Sequence, residues 1–376
     1  MRPTGLFAQS TDLSGARSVA ARVGPQRVEW VDYAKGLSIV LVVSMHSALG
    51  VGLALEKTGW LHPVVAFAKP FRMPAFFLVA GLFVGSAIDW PLRRYLDRKV
   101  LHFLYFFTLW TLIILLAKSG ELALTDPRTF VPVFLWALVD PYSSLWFVQL
   151  LPFLFLAARL LRRAPAAASI LPAAALHVLA ARFPDGGQYA MGSHMTGWML
   201  ADAFSLFLVY FLIGHHARAA IFAFAAQVER RPLLSVCGLA AWGVAEWYAV
   251  AHGLPELPGL TLLFGVLGGL AVVALASLMA SARTAPWLAY CGRNSLPIYL
   301  SFALPMAATR IALLRTGVVS DPGWMAAIVT TVAILAALAL AALVRHTPAS
   351  FLFARPSWAR LPPQKAETAL AASSTE

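Results

Sequence analysis

Residues 28–50 read VEWVDYAKGLSIVLVVSMHSALG, and this stretch decides the fold. Glu29, Asp32 and Lys35 crowd its start, after which an apolar run continues to Leu55, interrupted by one ionisable residue, His46. A transmembrane helix needs about 20 mainly apolar residues, and this segment supplies them.

The rest of the chain repeats the pattern. Hydrophobic residues make up 60% and charged residues 12%, with a mean hydropathy of +0.74. A soluble domain is about one quarter charged, so this chain has too little polar surface to face water on all sides. Further apolar runs are expected to span at 64–88, 100–117, 143–161, 166–182, 197–217, 232–251, 259–280, 286–309 and 324–344. The fold class expected is therefore all-α, a polytopic transmembrane helix bundle of about ten spans. The segment TFVPVFLWALVDP (129–141) is shorter and bracketed by Pro132 and Pro141, and reads as re-entrant or interfacial.

Charge orients the bundle. With ten spans and the N terminus inside, 21 of the 29 Lys and Arg residues fall on the cytoplasmic side, the arrangement a bilayer imposes. Both termini are then cytoplasmic. The net charge of +12 is thus spread over short loops, which argues against a nucleic-acid partner and for the lipid bilayer. Residues 1–27 read as a cytoplasmic tail, 28–345 as the membrane domain, and 346–376 as a second tail, disordered at its end. Cys237 and Cys291 match no disulfide or metal pattern, and no metal site is expected.

Ionisable residues inside spans are costly and mark functional positions. Lys35 and His46 lie eleven residues apart, three helical turns and about 16 Å on one helix face. A cation near the interface with an imidazole deeper on the same stripe suits a path across the membrane. The plainer reading is a Lys35 that snorkels beside Asp32 and a His46 hydrogen-bonded in the core.

Several segments carry a resemblance. WVDYAKGLSIVLVVSMHS is similar to the first helix of the acyltransferase-3 family, in which a basic residue, ten others and a His recur. Lys35 stands where the family usually has Arg. PFRMPAFFLVAGLFVG (70–85) resembles the family's second-helix motif, and Arg93, Arg94, Arg98 and Lys99 fall at its basic loop. SSLWFVQLL (143–151) and YCGRNSLPIYL (290–300) resemble later family segments. The family's Pro after the basic loop is missing from HFLYFF (102–107). Ser301 and Phe302 stand where a His often follows the late Tyr.

The resemblance implies a membrane acyltransferase, multi-pass in the bacterial inner membrane. It would move an acyl group, commonly acetyl, from cytoplasmic acyl-CoA to a hydroxyl of a glycan or other small acceptor. His46 is the expected catalytic base or acyl carrier, since an imidazole with a pKa of about 6.5 is largely neutral at pH 7. Lys35 is expected to assist it. Arg93, Arg94, Arg98 and Lys99 are expected to grip the phosphates of CoA, unless they serve only as positive-inside charge. Arg72, Trp146, Arg293, Asn294 and Tyr299 are candidates for substrate contact. Trp146 would alternatively be an interface anchor. Asp202 and Glu246 are intramembrane acids that meet the acceptor or pair to join two helices. Pairs Gly81/Gly85 and Gly265/Gly269 read as helix packing. A transporter or flippase for a glycan or lipid is the competing class, since transporters also bury charge at mid-membrane.

Overall fold

A computed structural model describes residues 28–141, 144–183 and 195–362. The expected tail 1–27 and the chain end after Pro362 lie outside the described residues. Among the described residues there is helix and no strand. The helices are α1 Glu29–Leu55, α2 Leu61–Ala68, α3 Arg72–Gly81, α4 Leu92–Thr125, α5 Pro127–Val139, α6 Trp146–Leu160 and α7 Ala166–Ala180. They continue with α8 Met199–His216, α9 Arg218–Arg230, α10 Pro232–Ala251, α11 Leu260–Ser281, α12 Pro286–Arg293, α13 Ser295–Ser301, α14 Ala303–Thr316 and α15 Pro322–Val344.

Where described, every segment expected to span is largely helical, with turns at 82–88, but length divides them. Among the described residues six helices are long and apolar enough to cross a membrane, or eight if each of two bent pairs is one span. The expected spans 143–161 and 166–182 are α6 and α7, of 15 residues each. At 1.5 Å per residue these reach about 22 Å, short of the ~30 Å hydrocarbon core. The 129–141 segment folds as the short helix α5, of 13 residues.

The bent pairs are α2–α3, at 46°, and α13–α14, at 53°. Pro70 lies in the first break and Pro305 just beyond the second, where each lacks the N–H that would continue the helical bonding. Within α4, residues Leu96–Leu101 form a π-helical turn, a geometry often found at functional positions.

Helix α1 is the hub, packed by α12, α11, α15 and α3. Its contact with α12 is backbone on backbone. A Cβ at Gly36 would run into the Leu288 carbonyl, and one at Gly292 into the Asp32 carbonyl. Close approach of this kind replaces the hydrophobic drive that lipid removes. Of the expected small-residue pairs, Gly81 makes such an approach, to the Phe211 carbonyl, whereas Gly85 sits at ordinary contact distance.

Beyond α15 the chain turns back along α4. Trp110 Nε1 donates to the Leu352 carbonyl (2.9 Å) and the Tyr105 hydroxyl to that of Phe351 (3.1 Å). Residues 348–361 thus form a strap docked on α4, and the expected C-terminal tail is folded over its first part.

Candidate active site

His46 sits mid-way along α1, half-buried, its ring 5.4 Å from that of Phe302 at the second helix bend. Its charged neighbour is Arg72, whose field reaches the imidazole. Arg72 is the first residue of α3, placed there by the break at Pro70, and only 3% of its surface is exposed. Its Nε and Nη1 have no hydrogen-bond partner. A buried donor without a partner costs about 1–3 kcal/mol, more when charged, so such a group calls for a functional reason.

An aromatic wall continues from His46. Phe302 faces Tyr299 (6.2 Å between rings), and Tyr299 faces Phe147 (5.2 Å). The Tyr299 hydroxyl donates to the Ser144 carbonyl, fixing the ring. Trp146 stacks on Phe207 at 5.6 Å and is 7% exposed. It is a core residue of this wall and not an interface anchor.

Three turns toward the start of α1, Lys35 is half-buried with its Nζ 5.4 Å from the Phe83 ring centre. Lys99 lies within its electrostatic reach and sits over the Phe155 ring at 4.9 Å. Lys99 lies one turn beyond the buried Tyr95 and so on the inner face, while Arg98 stays exposed, 4.0 Å from Asp97. Arg94 is exposed and stacks on Trp90 (4.5 Å), and Arg93 is exposed. Of the four expected phosphate-binding residues, Lys99 alone joins Lys35 inside the fold.

Arg293 and Asn294 are not brought to His46. Arg293 is exposed over Tyr290 (5.7 Å), and the Asn294 amide donates to the Tyr290 carbonyl (2.9 Å). Asn294 instead lines a separate cavity of about 270 Å³ between α12, α15 and the strap. Asp202 and Glu246 do not pair. Asp202 accepts from the Thr196 amide and hydroxyl (2.8 and 2.7 Å), while both Glu246 carboxylate oxygens are buried without a partner.

Sequence reasoning missed three residues beside Lys99. His102 lies in the combined field of Arg355, Lys99, Arg98 and Asp97. Arg355, on the strap, pairs with the buried Asp97. The only signal for His102 was its place one turn after the basic loop; nothing local marks Arg355. Among the described residues no group of three or more His, Cys, Asp or Glu is placed to hold a metal ion.

A family model described as an acyltransferase domain matches residues 28–346, nearly all of the membrane region. No curated protein and no solved structure matches the chain. The match covers both halves of the His46–Arg72 site and the basic turn beside Lys35, and the chain belongs to the acyltransferase-3 family.

Proposed function

We propose that the protein transfers an acyl group, by family habit acetyl, from cytoplasmic acyl-CoA to a hydroxyl of a glycan or other cell-surface acceptor. The observation that carries this reading is a buried Arg72 with hydrogen bonds to spare, on the helix α3 that packs against α1 and with its field reaching His46. The two supply what acyl transfer demands, a base and a donor for developing negative charge.

In this mechanism a His46 ring nitrogen takes the proton of the acceptor hydroxyl as its oxygen bonds to the thioester carbon. The carbonyl oxygen becomes an oxyanion, held by the Arg72 N–H groups. The intermediate collapses by breaking the carbon–sulfur bond, and the departing CoA thiolate takes the proton back from His46. The new ester and free CoA leave, and the imidazole is neutral again. Lys35 and Lys99 grip CoA phosphate about 16 Å from His46, at the other end of the extended donor.

The basic loops favour a bundle with the Lys35 end on the cytoplasmic side, in the bacterial inner membrane. Six, eight and ten spans are all even, so each count puts both termini on that side. The ten-span count adds α6 and α7 as short crossings.

The test is thioester turnover by purified protein in lipid with radiolabelled acetyl-CoA, comparing wild type and His46→Ala. Loss of turnover is expected. Equal turnover removes His46 from the mechanism, and acceptor translocation without acyl-CoA moves the function to transport.

A further inference from the structure

Helix α10 is fastened to the body near one end only. Its buried residues are Glu246 and Ala249, whereas Leu233 and Leu234, at 83% and 64% exposed, stand clear. The separation leaves a cleft of about 600 Å³ between the first half of α10, the end of α9 and α11. We propose that this cleft holds one anionic phospholipid, its phosphate at Arg231 and an acyl chain running down to Trp242.

Polarity is graded along the cleft. Gln227, Arg231 and Ser235 line one end, and Gly238, Leu239 and Trp242 continue it against the apolar face of α11. From Arg231 to Trp242 is eleven residues, about 16 Å of helix, or roughly half of the ~30 Å hydrocarbon core. The cleft is therefore as long as one leaflet is deep, with its cation where a headgroup lies.

Helix α9 supports the placement. Ile221, Ala225 and Val228 form its buried stripe, and Arg218 and Arg230 cap its two ends, the pattern of a helix lying in the headgroup layer. Arg230 and Arg231 together meet that layer, where basic side chains attract anionic lipid. Glu229, the acid beside Arg230 and Arg231, does not line the cleft, nor does Glu246, one turn beyond Trp242. A Cβ added at Gly238 meets nothing within 4 Å, so the groove is open at the position a chain would cross. The occupant is a lipid because the walls are apolar and the α10 face beside them is bilayer-exposed. It is anionic because the polar end is cationic.

The full chain, purified in detergent, is titrated with dioleoylphosphatidylglycerol and separately with dioleoylphosphatidylcholine, and bound lipid is counted by native mass spectrometry. One phosphatidylglycerol is expected to bind about tenfold tighter than phosphatidylcholine. Gly238→Phe, which fills the cleft, should abolish that tight site. Arg231→Gln should remove the preference while keeping the chain-binding step. Unchanged melting temperatures in lipid-free detergent show that both variants fold. Equal binding of the two lipids by wild type, or a tight site retained in a folded Gly238→Phe, overturns the proposal. The readout is binding, so neither result bears on the acyltransferase reading.

Discussion

Arg355 and Asp97 lie 258 residues apart and form a buried ion pair of 2.6 Å, with side chains 4% and 10% exposed. The same Asp97 oxygen accepts the Leu361 amide at 2.8 Å. The strap is thereby fastened to the π turn that carries Lys99. Removing one partner leaves an uncompensated buried charge, which costs about 3–5 kcal/mol. Arg355→Ala should lower the melting temperature and raise the donor KM more than it lowers kcat. The exchanged pair Asp97→Arg with Arg355→Asp should recover part of both. A melting curve unchanged in Arg355→Ala would show that the strap is held elsewhere.

Hydrophobic runs were legible because a bilayer obliges each segment to satisfy its own backbone, so the expected spans fold as helix, although those at 64–88 and 286–309 are broken into two and three pieces. Their lengths as helices were less so: α6 and α7 end after 15 residues, each bounded by basic or Pro-containing turns. His46 and Arg72 were both named from the sequence, but their meeting depends on α3 crossing α1, which spacing does not encode. In the run 93–99 the inward residue, Lys99, was not singled out, because its place follows from Tyr95, one turn earlier, being buried, and the run of basic residues does not announce that. The Asp97–Arg355 pair is beyond any local pattern.

That inward placement makes the basic run unequal. Lys99→Ala and Lys35→Ala should each raise the KM for acyl-CoA about tenfold, the worth of one charge-assisted hydrogen bond. Arg93→Ala and Arg98→Ala, at exposed positions, should leave it within about twofold. Donor-saturation curves for the four variants decide it, and equal effects would make the loop a diffuse cationic surface.

Arg72 tests the chemistry apart from binding. If its free N–H groups serve the oxyanion, Arg72→Gln should lower kcat by about 10²–10³ with little change in KM. Arg72→Lys retains the charge but loses the fork, and should recover only part of the rate. A variant that raises KM at full kcat would move Arg72 to acceptor binding.

Asp126, in water at the start of α5, caps that helix. Its carboxylate accepts from the Thr129 hydroxyl at 2.6 Å and the Thr129 amide at 3.3 Å, and these bonds hold its pKa below the ordinary 3.8. A carboxyl with a depressed folded pKa stabilises fully above its unfolded value and loses that contribution as pH falls through the folded one. Protection of the Thr129 amide from exchange should be flat down to about pH 4 and fall below it. Asp126→Asn, which caps without titrating, should show no such fall.

The crossing of α1 and α12 sets the position of everything else, because α1 carries both Lys35 and His46. Gly36 and Gly292 permit it, each facing a carbonyl of the other helix. A methyl group at either would push the helices apart, since backbone cannot swing away as a side chain can. Gly292→Ala should cost about 1–3 kcal/mol, the usual toll of overpacking. It should also lower kcat, because a shift of α1 moves His46 against Arg72, and reaction geometry tolerates little displacement. Gly243→Ala on α10, where a Cβ meets open space, is the control and should leave turnover unchanged, with a melting temperature that holds or rises because Ala favours the helix. Wild-type turnover in a destabilised Gly292→Ala would show that the site does not depend on the register of this crossing.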